Sequence, residues 1–401
     1  MRYNHVRRTS ITALALAAVA ASAACSSGTT PDTTTSSAAI AAGPRIAVSY
    51  AGGLRVLDAG TFETVADFDS EEYTRLNLSG DSRNVMVTTS EGFRVLDTAA
   101  GTTEEPELTD TVFSADKPGH VVRHAGKTIL YADGTSDTTI FDTAALEPAD
   151  GLPETDSIPG VDAHHGVSIV LEDGTFLTTV GNSNGRSGIE VRDASGAVLD
   201  KNDQCPGVHG EGTVEGEIVV FGCENGALIY DKGEMTKLDA PDQPYGRMGN
   251  AYVSESSPLI VGDYKDDADA EGYLLGAVTV IDPVAKTLDV VKLPDGAEYT
   301  WRGVARGPGD LAYIIASDGA VHVFDPETKA VTASYPVIGA WESPAESQDA
   351  HPGISIAGNT AYVTEPATNS IHAVDLTTGD VTESKQLDIT PNEFVAVALS
   401  K

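Results

Sequence analysis

The chain contains the stretch Ser370-Ile-His-Ala-Val-Asp375-Leu-Thr-Thr-Gly379, in which a short apolar pattern ends in aspartate and a polar turn follows. The same phrase occurs eight times between residues 56 and 375, at intervals of 38 to 51 residues. Because Asp followed by Thr, Pro or Gly is turn chemistry, each copy predicts a strand that ends in a tight turn. The aspartates of the eight copies are Asp58, Asp97, Asp142, Asp193, Asp231, Asp282, Asp325 and Asp375.

Further strand patterns precede each phrase, and units of about 40–50 residues with three or four strands are typical of propeller blades. The segment Glu393–Ser400 resembles a first strand with nothing after it, whereas Pro44–Tyr50 and Gly53–Asp58 resemble a second and third strand with nothing before them. Pairing these ends would close a ring and remove both sheet edges. We therefore predict an all-β fold, a single eight-bladed β-propeller over residues 44–401.

Two alternatives to this architecture remain at the sequence level. Seven blades would result if the least regular unit, Gly166–Asp193, were an insertion. A parallel solenoid fits less well, because its turns are usually shorter and more regular than these.

The amino-acid composition indicates which kinds of ligand and partner the protein can have. The 401 residues include 60 acidic and 25 basic ones, for a formal net charge of −35, and the mean hydropathy is −0.11. A nucleic-acid-binding protein needs a basic face, so this balance argues against one and suits a cation as ligand. The polarity also argues against an integral membrane protein.

The N-terminus predicts export. Residues 1–24 have the order of a lipoprotein signal peptide: a basic start, the apolar run Ile11–Ala21, which is too short to span a bilayer, and then Ser22-Ala-Ala-Cys25. This ending resembles a bacterial lipobox, in which Cys25 would be lipidated; a plain secretory signal is the alternative. Residues 25–43 are rich in Ser and Thr and predict a flexible tether. We expect a cell-surface or periplasmic lipoprotein, anchored to the membrane by lipid alone.

Two cysteines remain after the signal, Cys205 and Cys223. In an oxidising compartment an even pair predicts a disulfide. The alternative, a thiolate metal site, would need reduced thiols and usually more of them.

Five histidines stand at or just before the first strand of four repeats. The steps from 120 to 164 and from 164 to 209 are 44 and 45 residues, almost one repeat length, which predicts neighbours around the mouth of the propeller channel. Several neutral imidazoles with an oxygen ligand suit Zn²⁺, and zinc affinity should then fall as the pH drops through about 6.5. A lone histidine at such a position more often only hydrogen-bonds channel water. The candidate ligands are His120, His164, His165, His209 and His351.

Acidic residues lie two positions from three of these histidines, a spacing that places both side chains on one face of a regular strand. Asp162, Glu211 and Asp349 would therefore either orient an imidazole or bind the metal directly. His124 lies too far along its strand from His120 to share an ion with it. His322 and His372 each stand three residues before a repeat aspartate, which indicates a structural role.

Four segments resemble the AztD family of exported zinc metallochaperones: Arg123–Gly134, Cys205–Glu211, Phe221–Gly226 and Asp349–Gly353. The resemblance covers the chain from about Pro44 onward. It implies a β-propeller, not an enzyme, that binds zinc at two sites and loads the solute-binding protein of a zinc-specific ABC importer. The five candidate histidines are the positions it would assign to those sites. A propeller lactonase with a channel metal and a non-catalytic binding scaffold are the alternative functions.

Overall fold

The computed structural model describes residues 40–146, 151–254 and 256–399. These residues form eight four-stranded antiparallel sheets, and one of the sheets carries an additional short strand. Seven sheets use four strands that are consecutive in the chain, whereas the eighth joins the first three strands to the last. The predicted eight-bladed propeller is confirmed, and the seven-bladed alternative is wrong, because the irregular unit Gly166–Asp193 belongs to a complete fourth blade.

Blade 1 combines strands from both ends of the chain, and blades 2 to 4 follow in chain order up to residue 202. Blade 1 contains β33 (Phe394–Val397), β1 (Arg45–Tyr50), β2 (Gly53–Asp58) and β3 (Thr64–Asp69). Blade 2 contains β4 (Leu76–Leu78), β5 (Asn84–Thr89), β6 (Gly92–Asp97) and β7 (Glu107–Ser114). Blade 3 contains β8 (Pro118–His124), β9 (Lys127–Ala132), β10 (Thr138–Asp142) and β11 (Asp156–Ile158). Blade 4 contains β12 (Ser168–Val170), β13 (Phe176–Asn182), β14 (Gly185–Arg192) and β15 (Val198–Asn202).

The other four blades follow in chain order. Blade 5 contains β16 (His209–Val214), β17 (Ile218–Cys223), β18 (Asn225–Asp231) and β19 (Glu234–Asp239), with β20 (Gly246–Arg247) added beside β18. Blade 6 contains β21 (Ala251–Tyr252), β22 (Ile260–Tyr264), β23 (Ala277–Asp282) and β24 (Thr287–Lys292). Blade 7 contains β25 (Val304–Arg306), β26 (Ala312–Ile315), β27 (Ala320–Asp325) and β28 (Ala330–Pro336). Blade 8 contains β29 (Ile354–Ala357), β30 (Thr360–Glu365), β31 (Ser370–Asp375) and β32 (Val381–Gln386).

Helical structure in the described residues is limited to four short 3₁₀ turns, at Thr143–Leu146, Trp301–Gly303, Pro308–Asp310 and Pro366–Thr368. Within the same residues, no helix has the length and apolar composition needed to cross a membrane. The predicted signal peptide, Cys25 and the tether up to residue 39 lie outside the described part of the chain.

The repeated aspartate ends the third strand of seven blades and follows it directly in blade 4. In six of the eight blades its carboxylate accepts hydrogen bonds from backbone N–H groups of the next turn. Oδ1 of Asp282, for example, lies 3.0 Å from the nitrogen of Val284 and 2.8 Å from that of Ala285. Such turns fix the hairpin between the third and fourth strands, which explains why the phrase recurs once per blade.

The ring closes as expected from the ends of the sequence. β33 pairs antiparallel with β1, in a register that places Arg45 opposite Val397 and Val48 opposite Phe394. Apolar side chains of neighbouring sheets pack between the blades; one such cluster joins Ile46 and Val48 of blade 1 to Tyr362 and Ile371 of blade 8. The inner strands consequently surround a central channel, and residues at equivalent blade positions meet at its mouth.

Candidate metal centre

Three histidines meet at one mouth of the channel, each supplied by a different blade. His120 lies in β8, His165 stands three residues before β12, and His209 is the first residue of β16. These are the inner strands of blades 3, 4 and 5. Residues about one repeat length apart in the sequence therefore meet at one mouth of the channel.

The three imidazoles are close enough to share one ion. Nε2 of His165 lies 2.8 Å from Nε2 of His209 and 3.4 Å from Nε2 of His120. The ring centroids are 4.9 to 5.0 Å apart, and one nitrogen of each ring lies within 4.8 Å of the other two. Ligand nitrogens of a tetrahedral zinc site are about 3.4 Å apart, since Zn–N bonds measure about 2.0–2.1 Å. In the described residues this is the one group of three or more potential metal ligands.

Hydrogen bonds on the outer side of the rings direct Nε2 inward. Nδ1 of His165 lies 2.6 Å from Oδ2 of Asp133, and Nδ1 of His209 donates to the backbone oxygen of Gly249. A donated Nδ1–H leaves the Nε2 lone pair free for a metal. Asp133 can approach because residue 119 is glycine: a Cβ there would lie 2.2 Å from Oδ1 of Asp133.

Burial keeps two of the imidazoles neutral. Desolvation, reinforced by the neighbouring histidines, lowers the pKa of His120 well below 6.5. The same causes lower the pKa of His209 to about 3, although its bond to Gly249 opposes the shift. Neutral imidazole is the form that binds metal. Proton competition at these two ligands therefore begins at a lower pH than the value of about 6.5 expected from the sequence.

Two of the five candidate histidines lie outside this group. His164 follows the alternation of an extended chain and points away from His165. Its Nε2 lies 3.0 Å from the hydroxyl of Tyr131, and its Nδ1 lies 2.8 Å from the backbone oxygen of Asp162. Both ring nitrogens of His164 are thus occupied by hydrogen bonds.

His351 is buried at the start of blade 8. Its Nδ1 lies 2.7 Å from the backbone oxygen of Asp349, whereas its Nε2 is buried without a hydrogen-bond partner in the described structure. Burial and the charge of Arg302 lower its pKa to about 4. His351 is therefore a neutral imidazole with a free nitrogen, separate from the group of three.

The acidic neighbours do not act as their spacing predicted. Asp162 and Asp349 offer backbone oxygens, not carboxylates, to the histidines two residues on. Glu211 does not share a face with His209, because the strand is irregular between them and Gly210 has a φ of +55°. Burial raises the pKa of Glu211 to about 7.

The remaining histidines have local partners. Nε2 of His124, at the far end of β8, lies 2.6 Å from Oε1 of Glu217. His322 lies in β27 between Asp318 and Ser334, with contacts of 3.0 and 2.8 Å. His372 lies in β31 next to Ser384, at 2.9 Å.

A disulfide supports the segment that leads to His209. Cys205 and Cys223 are joined with an S–S distance of 1.99 Å, and both residues are completely buried. The bond ties the turn before β16 to the end of β17. The start of β16, and with it the His209 backbone, is therefore held from both sides.

Asp133 is the residue of this site that the sequence reasoning missed. It lies in the turn that follows β9, so no repeat position marks it. The available signal was the pair Asp133-Gly134 at the end of the segment Arg123–Gly134, because Asp-Gly commonly occupies turns.

The sequence of this chain is similar to that of a known protein. No protein-family model matches the sequence. The chain is 24% identical over 310 residues to the zinc chaperone AztD of Citrobacter koseri, an alignment that covers 73% of this chain and 69% of the relative.

Solved structures agree in fold. A structure of apo AztD from Citrobacter koseri has a TM-score of 0.75 at 20% identity, covering 88% of this chain and 96% of that one. A second crystal structure of Citrobacter koseri AztD has the same score and coverage at 21% identity. The dihydro-heme d1 dehydrogenase NirN is more distant, with a TM-score of 0.56 at 12% identity, covering 87% and 74% of the two chains. The resemblance expected from the four sequence segments is confirmed, since this chain is similar to the zinc chaperone AztD in sequence and in fold.

Proposed function

We propose that this protein is an exported zinc metallochaperone that binds Zn²⁺ through His120, His165 and His209. The observation that carries the proposal is the convergence of three Nε2 atoms from three blades at one channel mouth. The likeness to a protein named as a zinc chaperone supports zinc as the cargo. That relative carries the name of a chaperone, so we propose binding and transfer and not an enzymatic reaction such as lactone hydrolysis.

The chemistry of the ligand set fits zinc. Three imidazoles, with Nδ1 of two of them bonded to Asp133 and Gly249, provide three of the four ligands of a tetrahedral ion. The fourth position is left for water or an incoming ligand. A site with an open position can pass its ion on, whereas a site closed by four protein ligands is typical of structural zinc.

Transfer requires that a second protein reach the ion. His120 and His209 line a cavity of about 530 Å³ at the channel mouth. An acceptor docked over this cavity could offer its own ligands before the ion dissociates. We propose as acceptor the solute-binding protein of a zinc ABC importer, and as location the cell surface or periplasm, with a lipid at Cys25 as anchor.

A second zinc site remains a prediction. Among the residues assigned to it from the sequence, His351 has a free, buried Nε2, whereas both nitrogens of His164 are engaged. Counting zinc bound per chain in wild type and in His351→Ala tests whether His351 contributes a site of its own.

Zinc competition against an indicator of known affinity tests the main site. His120→Ala, His165→Ala and His209→Ala should each weaken zinc binding about ten-fold or more, since each removes a ligand. His164→Ala is the matched control, because its ring lies beside the group but contributes no nitrogen to it. Equal losses in His164→Ala and His165→Ala would contradict the assignment.

Handover has a kinetic test. The rate at which zinc-loaded protein fills a zinc-free acceptor is compared with the rate of zinc loss to an excess of chelator. Direct transfer predicts that acceptor loading is faster and depends on acceptor concentration. Equal rates would show that the protein only buffers zinc, even with the site confirmed.

A further inference from the structure

The cavity beside the three histidines has a charge that differs from the rest of the molecule. The chain carries a formal net charge of −35, yet the cavity wall contains three basic residues, Arg75, Arg247 and Lys265, and one acidic residue, Asp263. A fourth cation, Arg186, adjoins it and lies 3.4 Å from the backbone oxygen of His165. A concentration of cations next to a cation-binding site requires an explanation, because their charge opposes the binding of Zn²⁺.

Two guanidinium groups near this wall share one buried carboxylate. Arg75 and Arg302 lie 3.5 and 3.1 Å from the same buried carboxylate oxygen of Glu393, and both stack on Trp301 with centroid distances of 4.6 and 5.0 Å. These residues stand just before the inner strands of three blades: Arg75 before β4, Arg302 before β25 and Glu393 before β33. The contacts with Glu393 and Trp301 therefore explain why Arg75 and Arg302 are present near this wall.

In the described residues, Arg186 and Arg247 share no carboxylate of this kind. The side chain of Arg186 makes one hydrogen bond, to a backbone oxygen. The nearest ion-pair partner of Arg247 is Glu224, at 3.9 Å and half-exposed. Burial and the charge of Arg247 lower the pKa of Arg186, although the charges of Glu224 and Asp133 oppose the shift. Since each guanidinium has five N–H donors, most of the donors of this pair have no acceptor in the described structure.

Two other carboxylates near the pair, those of Asp133 and Asp263, are engaged elsewhere. Asp133 is bonded to Nδ1 of His165. Asp263 accepts hydrogen bonds from the backbone of Gly249 and from both the backbone and the side chain of Asn250. Neither acid makes a hydrogen bond or an ion pair with Arg186 or Arg247 in the described residues.

We propose that Arg186 and Arg247 form an anion site beside the three histidines, and that the site takes a small carboxylate. Guanidinium groups bind carboxylates with paired, charge-assisted hydrogen bonds, and the cavity of about 530 Å³ is large enough for one. Anion binding to the metal-free protein is independent of the proposed function. A second role rests on that function: with a metal present, the carboxylate occupies the fourth ligand position and offsets the positive wall.

The first test uses metal-free protein and succinate, titrated calorimetrically at constant ionic strength, with uncharged succinamide as the control ligand. Wild type should bind succinate and not succinamide. Arg186→Gln and Arg247→Gln should each weaken succinate binding about ten-fold or more. Lys286→Gln is the control. It removes an exposed cation that pairs with Glu234 of β19, the outer strand of blade 5, and it should leave succinate binding unchanged. Equal affinity in all four proteins, or equal binding of succinamide, would overturn the proposal.

The second test replaces zinc by Co²⁺, whose visible absorption reports on the ligands of the metal. Succinate should change the spectrum of the cobalt-loaded wild type at concentrations that leave Arg186→Gln unaffected. Succinate binding without any cobalt spectrum would refute the proposed zinc site and support the anion site. A cobalt spectrum that no carboxylate alters, in protein that does not bind succinate, would support the zinc site and refute the anion site.

Discussion

Asp133 determines how His165 faces the other two histidines. Oδ2 of Asp133 lies 2.6 Å from Nδ1 of His165. Asp133 belongs to the β9–β10 turn of blade 3, whereas His165 precedes the first strand of blade 4, so a residue of one blade orients a ligand of the next. Removing such an outer partner typically costs 10–100-fold in metal affinity, because the ring loses its preferred tautomer and orientation.

We therefore expect Asp133→Asn to lower zinc affinity by about 10–100-fold while the fold is retained. Asp137→Asn is the matched control, since Asp137 lies in the same turn but bonds the backbone nitrogen of Gly160 at 2.8 Å. Zinc competition and circular dichroism measure the two properties. Unchanged zinc affinity in Asp133→Asn would show that Asp133 does not orient His165.

His209 also links stability to pH. Its pKa is about 3 in the folded metal-free protein, whereas the unfolded chain binds a proton below about 6.5. The unfolded state thus holds more protons between these values, and the contribution of His209 to stability is lost as the pH falls through this window. The slope for one group is up to about 1.4 kcal/mol per pH unit.

We expect the free energy of unfolding of His209→Gln to depend less on pH than that of wild type. The stability difference between the two should change by up to about 2 kcal/mol in favour of the variant from pH 6.5 to 5. Denaturant unfolding of metal-free protein at several pH values measures it. A difference that is constant with pH would mean that His209 titrates normally in the folded state.

The sequence predicted which histidines are repeat-equivalent but not which atoms surround them. Asp133 and the backbone oxygen of Gly249 reach the site from turns of other hairpins, and no periodicity in the chain marks them. The pKa values of the histidines could not be predicted from the sequence either, because desolvation depends on how the residues pack and not on their spacing along the chain.

At the level of elements, the disulfide joins the turn before β16, the strand that carries His209, to the end of β17. Cys205 and Cys223 are separated by 18 residues, and closing a loop of that size stabilises a fold by about 3 kcal/mol in the chain-entropy account. His209 lies inside this loop, four residues after Cys205.

Replacing both cysteines by alanine should therefore lower the free energy of unfolding by about 3 kcal/mol and also weaken zinc binding. Thermal unfolding and zinc competition measure the two effects. Peptide mapping after alkylation without reductant provides the control, since wild type should show no labelled Cys205 or Cys223. Labelling of either residue in folded protein would contradict the disulfide.

Strand patterns and turns were predictable at this scale because the same local chemistry recurs. An aspartate that accepts backbone N–H bonds, as Asp282 does, needs no tertiary information to form its turn. The irregularity at Gly210 was not predictable, since a bulge changes the face of later residues without changing their spacing. The spacing of two residues therefore predicted Glu211 on the same face as His209, and the irregularity between them prevents this.

At the scale of the whole molecule, circular closure converts sequence spacing into proximity. Residues 120, 165 and 209 come together because successive inner strands are neighbours around one axis, a relation that the repeat length alone predicts. The same relation separates His351, which belongs to blade 8, from the group supplied by blades 3 to 5. The channel and its mouth exist only while the ring is closed.

Closure depends on four residues at the C-terminus, Phe394–Val397, which form the inner strand of blade 1. Ala396 and Val397 are buried, and burial of a valine side chain alone contributes about 2 kcal/mol. Ending the chain at Pro391 should therefore lower the unfolding temperature and expose the edge of β1, which favours association between molecules. Ending it at Val397 is the control, since that chain keeps the whole strand. Thermal unfolding and size-exclusion chromatography distinguish the two. If the shorter chain stayed monomeric with an unchanged unfolding temperature, the paired ends would not be what holds the ring, and the zinc site could not depend on closure.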